Sequence, residues 1–193
     1  MGYPAAALTE RLDLRAIEDG SDVEALFAIF SDPAGWWYDP GRRHAQITTT
    51  EGWVARAAAR WRDDGLSYWT VRLRGVPEII GVGGAQRHRS AAWNLSYRLA
   101  AAHQGQGYAT ELSRAALDAA GSVDPDVPFI AWIDAHNAPS RRVAERVGLR
   151  NYGFRLDAND GQARLAYADR EPGPLIAPPA PAPPAPAPEE PRG

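Results

Sequence analysis

Residues 93–121, "WNLSYRLAAAHQGQGYATELSRAALDAAG", constrain the fold of this chain more than any other stretch. The segment opens as a strand and closes as a helix, and between them Gly105, Gly107 and Ala109 alternate with larger residues. Glycines at such a junction let the backbone turn tightly and let a ligand approach it closely. Several N–H groups then converge with the unsatisfied donors that begin any helix, which makes a seat for phosphate oxygens, a pyrophosphate among them. Two familiar phosphate loops do not fit. A dinucleotide fingerprint needs a third glycine where this chain has Thr110, and a P-loop needs a lysine that is absent. A strand-to-helix turn that binds nothing stays open on these residues alone.

The flanking sequence alternates strand and helix patterns. "ERLDLRAI" reads as a first strand, and residues 18–32 carry apolar side chains at helical spacing up to Pro33. "SDPAGWWYDPG" is an aromatic loop punctuated by Pro and Gly. A second helix follows, with Thr48 and Glu51 spaced as a capping box and Gly65 as its stop. "LSYWTVRLRG" and "EIIGVGGAQRHR" predict a hairpin, and a further strand and the glycine-spaced turn lead into the third helix. "VPFIAWID" is a strand, "APSRRVAERVG" a helix, and "NYGFRLDA" and "QARLAYADR" a hairpin over "NDG". The order β-α-α-β-β-β-α-β-α-β-β predicts an α/β (α+β) domain. Its central sheet would be mixed and mostly antiparallel, with about 6–7 strands and helices on both faces.

Composition narrows the functions available. At 193 residues the chain is one domain plus a tail, with a domain over 1–170 and a Pro/Ala-rich segment over 171–193. That segment is expected to be extended and solvated, a linker or bait for a polyproline-reading partner. With no cysteine there are no disulfides, no Cys-ligated zinc and no thiol nucleophile. A net charge of -3 without any basic run gives no field for nucleic acid or an anionic membrane. No leader, membrane span or myristoylation signal is evident, so a soluble, cytoplasmic protein is expected, as monomer or homodimer. No His/Asp/Glu cluster has metal-ligand spacing, so no metal is expected.

Three segments together resemble the GNAT N-acetyltransferase superfamily, in its RimJ/RimL-like branch. Gln104, Gly107 and Ala109 match the Gln/Arg-x-x-Gly-x-Gly/Ala motif of that family. "NAPSRRVAERVGL" is similar to the Asn-x-x-Ser-x-x-Val-Ala-Glu-x-x-Gly-Phe/Leu signature of the branch, and "TERLDLRAI" to its opening strand. With the closing hairpin, the resemblance spans roughly residues 8–170. It implies acetyl-CoA as co-substrate and a primary amine as acceptor, on a protein N-terminus or a small molecule.

By position, the resemblance places Gln104, Gly105, Gln106, Gly107, Tyr108, Ala109 and Thr110 around the pyrophosphate. Leu99 and Asn137 would contact the pantetheine arm, with the Leu99 N–H as oxyanion donor and Ser140 near the thioester sulfur as proton donor. Helix capping is a second reading of Asn137 and Ser140. The tyrosine acid frequent in the family falls at Ala144, and Asn94 stands where relatives often carry Glu. Asparagine cannot take a proton, which favours an acceptor that deprotonates easily, such as an α-amine with pKa about 7.7–8.0. It equally admits a non-catalytic acyl-CoA-binding domain. Trp36 and Trp37 with Tyr38, together with Trp93 and Asp134, are candidates for the acceptor side, with core packing as the alternative for the tryptophans. His88 and His136 lie near the strands that would line the site, where surface or capping roles are the simpler reading.

Overall fold

The computed structural model describes residues 3–18 and 20–172. The segment read as a tail lies, from residue 173 onward, outside the described residues. Eight strands, β1 (Ala6–Leu8), β2 (Leu12–Ala16), β3 (Tyr68–Leu73), β4 (Ile79–Arg87), β5 (Trp93–Leu99), β6 (Phe129–Ile133), β7 (Arg150–Leu156) and β8 (Ala163–Ala168), form one sheet. Its order is β1-β2-β3-β4-β5-β6-β8-β7, and every pair is antiparallel except β5 with β6. The architecture is the expected one, with one strand more. The addition is β1, three mostly exposed residues paired to β2, too short to show an alternation in the sequence.

Four helices cover the sheet: α1 (Val23–Ser31), α2 (Ile47–Asp63), α3 (Tyr108–Val123) and α4 (Ala138–Arg146). The core divides accordingly. Val23, Leu26 and Phe30 of α1 and Val54 and Ala57 of α2 pack with Tyr68 and Val82 on one face. On the other face, Leu112, Ala116 and Ala119 of α3 and Ala144 of α4 pack with Trp69, Val71, Trp93 and Leu95. Strand alternation makes this division, since Tyr68 and Trp69 are neighbours in β3 that serve opposite faces. The expected Thr48–Glu51 capping box does not form. α2 starts two residues earlier, with Gln46 rather than Thr48 in the capping position and no side-chain bond there.

His88 closes the β4–β5 hairpin rather than lining a site. Its Nδ1 accepts from the Ser90 N–H at 3.1 Å, and its Nε2 meets Asp157 Oδ1 at 3.0 Å. The ring is thereby buried between that hairpin and the β7–β8 turn.

The glycine run of β4 sets how closely α3 can approach. A Cβ at Gly83 would lie 2.6 Å from Tyr97 Cβ and 2.8 Å from Leu112 Cδ2, contacts that a real side chain does not tolerate. Gly83 therefore lets β5 and α3 meet over the same point of the sheet. Gly83→Ala should cost about 1–3 kcal/mol through overpacking, measured as a lower urea midpoint with unchanged slope.

Candidate active site

β5 and β6 run parallel but pair only at Trp93↔Phe129 and Asn94↔Ile130. Beyond these residues β5 stays with β4 as far as Leu99, while β6 stays with β8 as far as Ile133. The two strands separate, and a gap opens between their C-terminal halves. Antiparallel pairing alternates, so the bond from Ala100 N–H to Ile80 O turns the backbone groups of Tyr97 and Leu99 away from β4, toward the gap. The Leu99 carbonyl there accepts from Gln104 Nε2 at 3.0 Å, and its N–H is left facing the gap. Helices α3 and α4 follow β5 and β6, so both helix N-termini flank the same opening.

The turn into α3 supplies donors. Gly105 and Gly107 have φ of +75° and +84°, and Gly107 is the N-cap of α3. The N–H groups of residues 105–109 make no hydrogen bond among the described residues. Converging amides at the N-terminus of a 16-residue helix suit an anion. Arg11 braces the turn from outside. Its Nη1 donates to Gln106 O at 2.9 Å, its Nε pairs with Glu111 Oε2 at 2.7 Å, and its guanidinium lies 4.7 Å from the Tyr108 ring centroid. Burial alone would push the Glu111 carboxyl up, but hydrogen bonds from Thr9 and Arg11 outweigh it and hold it below its ordinary value.

Two cavities meet at the gap. One, of about 320 Å³, is lined by Leu99, Gln104, Gly105, Gly107–Thr110, Trp37 and residues of α4. The other, of about 500 Å³, opens toward α1 and α2 and is lined by Phe30, Trp36, Trp53, Tyr68, Asp134 and Ala144 among others. Tyr38, Tyr97, Arg98, Asn137 and Ser140 line both. A site for one ligand thus touches a site for a second across the separated strands, which is the arrangement that group transfer requires.

A family model described as "Acetyltransferase (GNAT) domain" matches residues 11–150. The chain belongs to the GNAT acetyltransferase family. It is 30% identical to the uncharacterized protein YkkB of Bacillus subtilis over 152 residues, 77% of this chain and 87% of that protein. The fold is shared with an acetyltransferase from Agrobacterium tumefaciens (TM-score 0.72, 24% identity, 87% of this chain and 95% of that one). It is also shared with the ribosomal L7/L12 α-N-protein acetyltransferase RimL in complex with coenzyme A (TM-score 0.66, 21% identity, 84% and 95% covered).

The residues expected around the cofactor of this GNAT domain come together, with one exception. Leu99, Gln104, Gly105, Gly107, Tyr108, Ala109, Thr110, Asn137 and Ser140 line the smaller cavity, whereas Gln106 does not. The Gln106 side chain turns back to Ala102 O at 3.1 Å. The capping reading of Asn137 holds as well, because its Oδ1 accepts from the Ser140 N–H at 3.2 Å. On the acceptor side Trp36 and Asp134 line the larger cavity, and Trp37 lines the smaller one. Trp93 lines neither: it is fully buried in the core under α3, with the Arg87 guanidinium 4.2 Å from its ring centroid. Asn94 also lies outside both linings. His136 Nε2 donates to Tyr38 O, 2.8 Å away, and ties the aromatic loop to the end of β6.

Three residues at the site were not singled out in the sequence. Tyr97 carries a buried hydroxyl without a hydrogen-bond partner, and burial pushes the phenol up to about 12 against a smaller downward pull from Ser140. Arg98 stacks its guanidinium 3.6 Å from the Trp36 ring centroid and donates to Gly35 O and to Tyr38 Oη. His44 stacks on Phe30 at 4.5 Å and shares a hydrogen with Thr50 Oγ1 at 2.8 Å. Burial, with Arg56 and Arg98 adding repulsion, pushes the His44 imidazole below its ordinary value, so it is neutral at pH 7. A strand tyrosine and a loop histidine have no local motif, so only the fold brings them to the gap.

The far wall is an ion-pair network around Arg164, which meets Asp157 at 2.7 Å, Asp160 at 2.8 Å and Asp134 at 3.5 Å. Hydrogen bonds from Arg164 hold the Asp160 carboxyl down to about 2, against an upward push from burial. A lowered folded pKa stabilises the fold at every pH above the unfolded value of 3.8, and that stabilisation is lost as pH falls toward 2. Melting temperature should therefore drop between about pH 4 and pH 2, and Asp160→Asn should flatten that part of the profile.

Proposed function

We propose that this chain transfers the acetyl group of acetyl-CoA to a primary amine by direct attack, with the smaller cavity for the co-substrate and the larger for the acceptor. The single observation that carries this reading is the meeting of the two cavities at Tyr97, Arg98, Asn137 and Ser140. The amides of residues 105–109 fit a pyrophosphate, and the Tyr97 and Leu99 backbone groups facing the gap fit the amide-bearing pantetheine arm. The signature at Asn137–Leu149 supports a RimJ/RimL-like member of the family.

Bound acetyl-CoA would supply the acetyl group already activated as a thioester. The chain does the remaining work. The Leu99 N–H faces the gap as a hydrogen-bond donor for developing negative charge. Two hydroxyls, Tyr97 Oη and Ser140 Oγ, line both cavities and hold protons for a departing sulfur. Ala144 is buried and has no proton to donate, which leaves the role to these hydroxyls. With no carboxylate at position 94, the neutral His44 imidazole, its Nδ1 engaged by Thr50, receives the amine proton at Nε2.

The test is thiol release from acetyl-CoA against a panel of amines, with Gly107→Trp as a control whose bulk fills the cofactor turn. Wild type should turn over and the variant should not. Tyr97→Phe should lower kcat by about tenfold with little change in KM. The fall is modest beside the ~10²–10⁴ of general acid–base catalysis because a thiolate leaves easily. No turnover of any amine by a wild type that binds acetyl-CoA would favour a sensing domain.

A further inference from the structure

The charges around the larger cavity are lopsided. Arg42, Arg43, Arg98 and Arg164 line it, and Asp134 is its one carboxylate. Arg164 is shared among Asp157, Asp160 and Asp134, and Arg42 is held between Asp160 at 2.6 Å and Asp39 at 3.4 Å, so neither offers a free charge. Among the described residues Arg43 and Arg98 have no carboxylate partner. Arg98 is the more telling of the two. It is half-buried at the junction of the cavities and fixed by Gly35 O, Tyr38 Oη and the face of Trp36, and its Nε is buried without an acceptor. A fixed, unpaired guanidinium is costly where solvent is reduced, and an anionic ligand offsets that cost. Aromatic side chains form part of the wall. Trp53 stacks on Tyr68 at 5.5 Å with planes 7° apart, and Phe30 meets Trp53 edge-on at 4.8 Å. Such walls suit a flat apolar body, and about 500 Å³ is the size of a small-molecule site.

We propose that the acceptor is a small aromatic amine that carries its own anionic group, which pairs with Arg43 at the rim and lies in the positive field of Arg98. The inference rests on the acetyl-transfer reading in calling the occupant an acceptor. A positive field beside the reacting amine also favours its neutral, attacking form, which reduces the need for the carboxylate missing at position 94. Arg43 and Arg98 disfavour a second cationic group at their end of the cavity.

The experiment uses the whole chain and three probes: L-phenylalanine, L-phenylalaninamide and spermidine. Binding is read from tryptophan fluorescence, since Trp36 and Trp53 line the cavity, and acetyl transfer is read in parallel from thiol release. Phenylalanine should bind and react about tenfold or more better than its amide, and spermidine should do neither. Arg43→Gln, at an exposed position, should abolish the preference for phenylalanine over the amide. Equal or better use of the amide or of spermidine overturns the inference, as does an Arg43→Gln variant that keeps the preference. Loss of acetyl-CoA binding by wild type would instead strike the acetyl-transfer reading, and the carboxylate preference in fluorescence would still support or overturn the charge argument on its own.

Discussion

The site depends on an incomplete pairing. β5 and β6 share two residue pairs and then part, each held by a different antiparallel neighbour. Complete pairing would satisfy the edges of Tyr97 and Leu99 and close the sheet between α1–α2 and α3–α4. Separation leaves those backbone groups without strand partners, a cost that a sheet interior normally avoids. The separated edges become a binding surface because two helices begin beside them, and because glycines at 105 and 107 keep the intervening turn bare.

Around this opening the chain spends its ion pairs unevenly. On the smaller cavity's side, Arg11 and Glu111 neutralise each other while they fix the turn, and the amides of residues 105–109 stay free as donors. On the far wall, Arg164 is surrounded by three aspartates, so its charge is more than offset. Between them Arg98 is left without a counter-ion, next to a tyrosine hydroxyl that is also unpartnered. Unsatisfied groups are rare in folded proteins and concentrate where a ligand completes them. Two of those here, Tyr97 Oη and Arg98 Nε, fall where the two cavities join.

Much of this was legible in the sequence, for reasons that differ by element. The hairpins and the helices show their periods, and Gly105 and Gly107 mark the one junction where two left-handed residues precede a long helix. Short signatures at Gln104–Ala109 and Asn137–Leu149 fixed the family because their chemistry is local. The misses share one cause. Trp93 looks like any other tryptophan until the register puts it under α3, and Thr48 and Glu51 have capping spacing although Gln46 begins the helix. Tyr97, Arg98 and His44 come from one strand and a distant loop, and only the packing of α1 against the sheet makes them neighbours of a single gap.

The central claim is that the bare amides of the turn and the parted edge of β5 hold the co-substrate. Backbone ¹⁵N–¹H spectra recorded during titration with acetyl-CoA test it most directly. The account predicts that the largest shifts fall on residues 105–110, Tyr97 and Leu99, with little change along β7 and β8. Shifts centred elsewhere, or none at saturating acetyl-CoA, would contradict it.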